Sequence, residues 1–484
     1  MDVNHVFRDI VIVAQALQVK VYVVGGVVRD TLLLKTERKD IDMVVVGSGL
    51  AFAKAFAEHV GDGVGTLVEF SDFDTARFVY TKEIEGEKKE VLLELEFAGA
   101  RSESYRESSR KPTVVAATLE EDLSRRDFTV NAMAQEITAS GLGPVIDPFG
   151  GLVHLREKVL KTPLDPDATF FDDPLRMMRA ARFAAQLEFS VDPEVLLSME
   201  RNAKRLEIIS AERIKEELFK LLGTKKPSIG LYLLYGTKLF DHFFPEVTAL
   251  SGVEEANGYS HKDNLSHTFA VVDNIAGLTD KPVLRYAALM HDIAKPDTKK
   301  FVRGRGWTFD MHEHLGRKMA RDINRRLRLS TDESKYVCKL VRWHLQPIAL
   351  MDDGITDSAV RRLVVNLGDD LDDLMKLCRS DITTGNQKKK DHRLKNYDEL
   401  ERRIAELLER DKLRAFQSPV RGEDIMAFSG LKPGPTIGKI KKEIERAILD
   451  GEIPNEYEPA KAYFESIKEK FLSQAEEWER IFSK

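Results

Sequence analysis

The sequence predicts an α+β chain in which a mixed first third precedes an almost wholly helical remainder. Three observations carry that expectation. Residues 1 to about 155 alternate β-branched runs with helical periodicity, whereas from residue 156 onward the apolar spacing is helical nearly throughout. Asp147-Pro148-Phe149-Gly150-Gly151 is a strong turn signal at the change of pattern. At 484 residues with 43% hydrophobic content, the chain has room for about two to four packed domains.

In the mixed part, Val21 to Val24 reads as a strand that meets Gly25-Gly26, and Val27 to Leu34 as a short helix. A loop with Lys35, Arg38 and Lys39 leads to a second strand over Asp40 to Val46. Ala51 to His59 is a helix and Gly65 to Phe70 a strand. Thr75 to Thr81 and Val91 to Phe97 form a strand pair around the charged Glu83 to Glu90 connection. Ser102 to Thr113 is polar, basic and poor in apolar residues, which predicts a mobile loop, taken as part of a longer one between about 99 and 124.

Helices are expected over Pro174 to Leu187, Glu194 to Leu206, Ala211 to Leu222 and Ser228 to Leu234. More follow over Thr268 to Leu278, Val283 to Asp292, Gly316 to Leu327, Asp332 to His344, Ser358 to Leu367 and Asp369 to Ser380. The last part carries a long charged helix, Asp391 to Glu409, then Gly422 to Phe428, Thr436 to Leu449 and Pro459 to Phe482. Lys388-Lys389-Lys390 reads as a solvated loop that could touch a backbone phosphate. No short internal repeat or low-complexity stretch interrupts the pattern.

Composition narrows the function classes. With 74 basic and 80 acidic residues the net charge is −6, so any nucleic-acid binding rests on local patches. The two cysteines, Cys338 and Cys378, have no metal-binding spacing and suit a reducing compartment. There is no apolar signal core after a basic start and no long uncharged apolar run, which predicts a soluble, cytoplasmic protein without a membrane partner.

The chemistry concentrates at Val21 to Val46. On a strand, Asp40 and Asp42 share one face with Ile41 on the other. Two carboxylates so placed repel each other unless cations lie between them, and magnesium prefers such hard oxygen ligands. Gly25-Gly26 allows close approach of backbone amides to a phosphate, and the helix start that follows favours an anion. A phosphate cradle beside an acidic pair is the arrangement of a nucleotidyl-transfer site; the plainer reading is a Gly turn beside a solvated Asp pair. A third acid should come from a neighbouring strand, where Glu94 and Glu96 point to one face. Arg125 or Arg126 could hold triphosphate oxygens bidentately, with Asn131 reading the sugar or a phosphate; a helix start with a surface salt bridge explains the segment equally well.

Asp172-Asp173-Pro174-Leu175-Arg176 looks like a helix start with Asp173 as N-cap and Pro174 at the first position. Asp173 and Arg176, three apart, could simply pair. They could also read a base edge. A carboxylate accepts from an exocyclic amine while a guanidinium donates to the adjacent ring nitrogen. Cytosine and adenine offer that order and uracil and guanine its reverse, so one pair could select C and A without a template.

GGVVRD…DID, RRDFTVNA, DPFGG, DDPLRMMRAARF and ERIKEEL occur here in the order seen in class II tRNA nucleotidyltransferases and bacterial poly(A) polymerases, and residues 21 to about 220 resemble that family. The resemblance implies a DNA polymerase β-like nucleotidyltransferase head (residues 1–155), a helical neck with the nucleotide-selecting motif (156–225), a body (226–385) and a tRNA-binding tail (386–484). It implies magnesium ligation by Asp40 and Asp42, with Glu96, five residues before Arg101, as the third acid. Triphosphate contacts pass to Gly25, Gly26, Arg29 and Arg126, and base selection to Asp173 and Arg176. The implied nucleotide-binding set also takes in Asp127, Asn131, Arg179 and Arg182. Where the family often writes EDxxR, this chain has Asp172 in the Glu position.

Downstream, His267, His291-Asp292 and Asp381 have the order H…HD…D, with His312 and His344 between them. Imidazoles and carboxylates on separate helices can converge on one or two metals, although most of the chain's 11 histidines need be no more than packed or exposed side chains. The stretch from about 263 to 385 resembles an HD phosphohydrolase domain. That implies primary ligands His267, His291, Asp292 and Asp381, with His312 and His344 for a second metal, be it magnesium, manganese, nickel or iron. Residues 419–451 are similar to the C-terminal region of HD-containing CCA-adding enzymes. Backbone amides at Gly434 to Gly438 with Lys439, Lys441 and Lys442 could meet RNA phosphates there; otherwise the segment is a helical hairpin with a rigid turn.

The expectation is template-independent addition of CMP and AMP, from CTP and ATP, to the tRNA 3′ end. Poly(A) synthesis and partial A-only or CC-only addition are the alternatives within that class. From another class comes a metal-dependent HD phosphohydrolase with a regulatory, nucleotide-binding head.

Overall fold

The computed structural model describes residues 3–34, 40–61, 63–84, 88–106, 109–253, 255–256, 259–260, 263–351, 356–411 and 418–474. The expected loop with Lys35, Arg38 and Lys39 lies outside them. Two compact units are present, Met1–Ser251 with Arg326–Leu329, and Gly252–Arg325 with Ser330–Lys484.

The first unit opens with α1 (Val3–Leu17), whose Val6, Phe7, Ile10, Val13 and Ala14 recur at helical spacing and are buried. There follow β1 (Val21–Val24), α2 (Gly26–Leu32), β2 (Asp40–Val45), α3 (Gly49–Val60), β3 (Gly65–Phe70), β4 (Thr75–Ile84) and β5 (Lys88–Gly99). Then come β6 (Arg101–Arg106), β7 (Ser109–Ala116), α4 (Leu119–Ser124), β8 (Ala134–Thr138) and β9 (Gly141–Ile146). Seven strands make one sheet in the order β3-β4-β5-β2-β1-β8-β9. Within it β2 and β5 run parallel, and the other neighbours are antiparallel. Phe52 and Phe56 of α3 pack on Phe97 and Phe78 of the sheet, with centroids 5.2 to 5.4 Å apart. Period two therefore turns Glu94 and Glu96 to the face away from α3.

The segment expected to be a mobile loop is instead an antiparallel ribbon, with Arg101 opposite Ala116 and Glu103 opposite Val114. Its sequence lacks the apolar alternation that marks a half-buried strand, so the backbone ladder of a two-stranded ribbon left no trace in periodicity. Nor does the loop run on to residue 124, because Thr118 and Glu121 form a capping box that starts α4.

The helical remainder of this unit contains α5 (Gly151–Glu157), β10 (Val159–Leu160), α6 (Pro166–Asp172), α7 (Leu175–Leu187), β11 (Ser190–Val191), α8 (Pro193–Asn202), α9 (Ala211–Leu222), α10 (Ser228–Gly236), α11 (Phe240–Phe243) and α12 (Pro245–Thr248). The parallel pair β10–β11 is a small exception to the expected all-helical pattern. Gly150 has φ 75° and begins α5, and a Cβ on Gly151 would lie 2.3 Å from the Thr129 carbonyl oxygen. The DPFGG turn is thereby fixed, with the Asp147 carboxylate accepting from the Gly151 and Leu152 amides at 2.6 and 2.8 Å.

The second unit begins with the short pair β12 (Glu255–Ala256) and β13 (Tyr259–Ser260), then α13 (Asn264–Ala276), α14 (Pro282–Met290), α15 (Lys295–Thr298), β14 (Lys300–Val302) and β15 (Gly306–Thr308). These two-residue and three-residue hairpins are further exceptions to the helical expectation. The core helices are α16 (His312–Arg326), α17 (Thr331–Trp343), α18 (Gln346–Ala349), α19 (Asp357–Leu367) and α20 (Leu371–Ser380). The chain continues through α21 (Gln387–Asp411), α22 (Gly422–Ser429), α23 (Pro435–Leu449) and α24 (Tyr457–Leu472). Lys388-Lys389-Lys390 lies in the first turn of α21, not in a loop; lysine is a good helix former and its charges are exposed or half-exposed. The last expected helix ends at Leu472, and residues 475–484 lie outside the described set.

Candidate functional site

The first unit holds a cleft of about 720 Å³ that brings together Asp40 and Asp42 with Arg29, Arg126, Asp173 and Arg176. The acids come from the sheet. Asp40 pairs in register with Glu94, and Asp42 with Glu96, across the parallel β2–β5 ladder. Both β2 aspartates are exposed while Ile41 and Met43 are buried, as period two requires. Partial desolvation at the cleft floor, then the charges of Glu96 and Asp40, push the Asp42 carboxyl above the usual range, and Arg126 opposes them. That mutual repulsion is what a bound cation relieves, so the three acids fit divalent magnesium. Glu96 meets an unanticipated partner, Arg77, whose Nη2 is 2.9 Å from its Oε2 and whose Nη1 is 3.5 Å from Glu94.

Opposite the acids, Gly25 adopts φ 70°, and a Cβ there would come within 3.1 Å of Arg126 Nη1. Only glycine combines that backbone with that approach. Arg29, 4% exposed, donates to Asn131 Oδ1 at 2.6 Å and to both oxygens of Asp30 at 2.9 Å. Asn131 in turn donates to Asp127, which also accepts from the Phe128 amide. Burial alone would raise the Asp127 carboxyl, but Arg179, together with the hydrogen bond from Asn131, lowers it to about 2. Arg125 and Arg126 both bind Asp122, which is fully buried on α4.

Asp173 joins α6 to α7 and accepts from the Leu175 amide at 3.1 Å, but α7 begins one residue later than expected, with Pro174 rather than Asp173 at its N-cap. Arg176 donates to the carbonyls of Thr169 (3.2 Å) and Arg125 (2.6 Å), which fixes its guanidinium at the cleft. Next along α7, Arg179 binds Asp127 and Arg182 binds Glu217 at 2.6 Å. Phe183 lies under the guanidinium groups of Arg29, Arg179 and Arg182 at 5.2, 5.2 and 4.0 Å. Every nucleotide-binding residue expected from sequence lines this one cleft. Asp122, Phe183, Glu217 and Arg77 were not anticipated. A signal existed for Glu217, a charged residue in phase with the buried Ile214, Leu218 and Leu221.

A second cluster lies in the other unit. Among the described residues, two groups have ligand atoms that all fall within 4.8 Å of one another: His267, His291 and Asp381, and Asp292, His312 and His344. Asp292 faces both. Its Oδ2 is 3.2 Å from His291 Nε2 and 3.4 Å from His267 Nε2, and its Oδ1 is 3.2 Å from His312 Nε2. The Nδ1 atoms of His291, His312 and His344 contact carbonyls three residues earlier at 2.6 to 2.8 Å. A carbonyl only accepts, so each Nδ1 carries the proton, the outer arrangement that orients metal-binding imidazoles. His312 and His344 then face each other through bare Nε2 lone pairs 3.2 Å apart, which repel unless a cation joins them. His291 Nε2 is buried, and Asp292 Oδ2 beside it is held by the Lys295 ammonium at 2.5 Å. Burial works against a proton on His291, yet Asp292 and Asp381 raise it to about 10; burial and His291 lower His344 to about 4. These donors fit a divalent metal, and the expected HD ligands, His312 and His344 included, converge.

Three family models match in succession: the poly A polymerase head domain at residues 21–161, the probable RNA and SrmB-binding site of polymerase A at 188–250, and the HD domain at 264–381. A multifunctional CCA protein of Ralstonia nicotianae is 34% identical over 334 residues, which cover 67% of this chain and 72% of that protein. An A-adding tRNA nucleotidyltransferase of Deinococcus radiodurans is 32% identical over 351 residues, covering 69% and 76%. Among solved structures, a Bacillus stearothermophilus CCA-adding enzyme in complex with CTP superposes with a TM-score of 0.61 at 23% identity, covering 96% of this chain and 97% of that one. A Thermotoga maritima CCA-adding enzyme complexed with tRNA gives 0.57 at 21% identity, with 96% of both chains covered. The RNA-binding match at 188–250 lies ahead of the HD segment, where the sequence raises no RNA-binding expectation, and with 34% identity across 72% of a multifunctional CCA protein this chain belongs to the CCA-adding tRNA nucleotidyltransferase family and is a nucleotidyltransferase.

Proposed function

We propose that this enzyme adds CMP and AMP, without a template, to the 3′ end of tRNA, using CTP and ATP. The observation that carries the reading is the parallel register of Asp40 with Glu94 and Asp42 with Glu96, beside a cleft whose other walls include Arg126, Asp173 and Arg176. Asp40, Asp42 and Glu96 would hold two magnesium ions. Bound there, magnesium would activate the attacking hydroxyl and neutralise the triphosphate as pyrophosphate leaves. Gly25 and Gly26 let the backbone approach the triphosphate, and Arg29 and Arg126 supply its positive charge. Asp173 accepts from the amine of cytosine or adenine, and Arg176, held by two carbonyls, donates to the adjacent ring nitrogen. Because the carbonyl clamp stops the guanidinium from turning away, a uracil or guanine edge would leave both groups mispaired.

Residues 1–155 serve as head, 156–225 as neck, 226–385 as body and 386–484 as tRNA-binding tail. Asp127, Asn131, Arg179 and Arg182 complete the nucleotide site. In the body, His267, His291, Asp292 and Asp381, with His312 and His344, would hold one or two divalent metals for phosphohydrolase chemistry, which metal-bound water supplies. No helix among the described residues is long and apolar enough to cross a membrane, and a cytoplasmic enzyme acting on tRNA accords with that.

Purified enzyme incubated with CTP, ATP and tRNAs lacking one, two or three terminal nucleotides tests the proposal, the expected product being a complete CCA end from each. The relative named as A-adding motivates a second reading, addition of the final A alone. Extension only of the tRNA that lacks one nucleotide would establish it. Long A tails on any RNA, without C, would overturn the tRNA assignment.

A further inference from the structure

We infer that the cleft beside the His/Asp cluster contains a phosphate-binding subsite completed by Arg393 and Thr384, two residues beyond the HD segment, which ends at residue 381. The inference rests on the reading of that cluster as a metal site. The cleft is about 180 Å³, and its lining includes Asn264, Thr383, Thr384, Lys295 and Arg393 together with His267 and Asp381 of the cluster. Ligand pockets for whole drug-sized molecules run from about 300 to 1,000 Å³. This one accommodates a terminal phosphoryl group whose parent molecule stays in solvent.

Two of its other polar groups are already engaged. The Lys295 ammonium is 2.5 Å from Asp292 Oδ2, and the Thr383 hydroxyl is 2.8 Å from His267 Nδ1. Arg393 differs from the other arginines along α21. Arg402 is bound by Glu399 and Glu406, and Arg403 and Arg410 by Asp357, whereas Arg393 forms no ion pair among the described residues and lines the cleft. The first turn of the helix is free of acids and carries Lys388, Lys389 and Lys390. Thr384 Oγ1 accepts from the Asn386 amide at 3.3 Å, which leaves its O–H to donate. A planar cation and a hydroxyl donor at the mouth of a metal cluster match the oxygens of a phosphoryl dianion.

The test uses the full chain loaded with manganese, titrated calorimetrically with inorganic phosphate and assayed on p-nitrophenyl phosphate. Arg393→Ala should weaken phosphate binding and raise KM by about tenfold, the scale of one lost charge-assisted hydrogen bond. kcat, the metal content per chain and the melting temperature should stay at wild-type values. Arg393→Lys should recover part of the loss, and Thr384→Val should give a smaller one. Wild-type phosphate affinity in Arg393→Ala would overturn the subsite while leaving the metal reading intact. A wild-type protein that takes up no manganese, or whose His291→Ala variant takes up as much, would overturn the metal reading and the subsite with it.

Discussion

Asp42 and Glu96 stand level with each other on adjacent parallel strands, facing away from α3, and Asp42 lines the nucleotide cleft. The same ladder sets Glu94 one step away, level with Asp40, so register distinguishes two glutamates that composition does not. Asp42→Ala should lower kcat for nucleotide addition by about 10²- to 10³-fold, the range seen when one charge-stabilising group is lost. Glu96→Gln should also cost activity and raise the magnesium concentration needed for half-maximal rate, and Glu94→Gln should do so far less. Steady-state rates across a magnesium series measure this. Equal effects of the two glutamine variants would remove Glu96 from the metal site.

Asp127 ties Arg179 of α7 to the segment that carries Asn131, and its carboxyl is lowered to about 2. A folded-state value below the ordinary one of about 4 contributes stability that is present above pH 4 and lost as pH falls toward 2. The difference corresponds to roughly 2 kcal/mol. Asp127→Asn should therefore melt lower than wild type at pH 6, and the gap should narrow steadily between pH 4 and pH 2. Calorimetric melting of both proteins across that range is the measurement, and a constant gap would count against the ion pair.

Glu217 receives Arg182 at 2.6 Å and lies 4.0 Å from Arg179, at 4% exposure. Removing one partner of a buried pair strands the other charge, at a cost of about 3–5 kcal/mol for full removal. Glu217→Gln retains the shape and some hydrogen bonding, so the fold should survive with a lowered Tm. Arg182 would lose its anchor beside Phe183 while Arg179 keeps Asp127, and KM for CTP and ATP should rise more than kcat falls. A variant with unchanged KM would confine Glu217 to the fold.

Among the described residues, Asp292 is the one carboxylate that faces both metal-ligand groups, through different oxygens. Asp292→Ala should reduce bound manganese or nickel in both groups, whereas His312→Ala should affect only the group it shares with His344. Metal analysis after dialysis against each cation gives the stoichiometry. A Asp292→Ala protein that binds as much metal as wild type would rule out a bridging role.

The mixed head, the helical remainder, the glycine cradle, the Asp40/Asp42 pair and the HD order were all legible because each is local. Strand period two and helix period 3.6 write themselves into neighbouring residues, and a turn announces its own glycines. The ribbon at 101–116 was not legible, since a two-stranded ladder needs no apolar stripe. The N-terminal helix α1 was legible but went unassigned: Val6, Phe7, Ile10, Val13 and Ala14 already recur at helical spacing. Tertiary structure alone decided that Arg77 meets Glu96 and that Asp122 and Glu217 anchor the cleft arginines. Those relations set residues far apart in sequence within a few ångströms, and no periodicity encodes a distance between segments whose register is fixed only when the core packs.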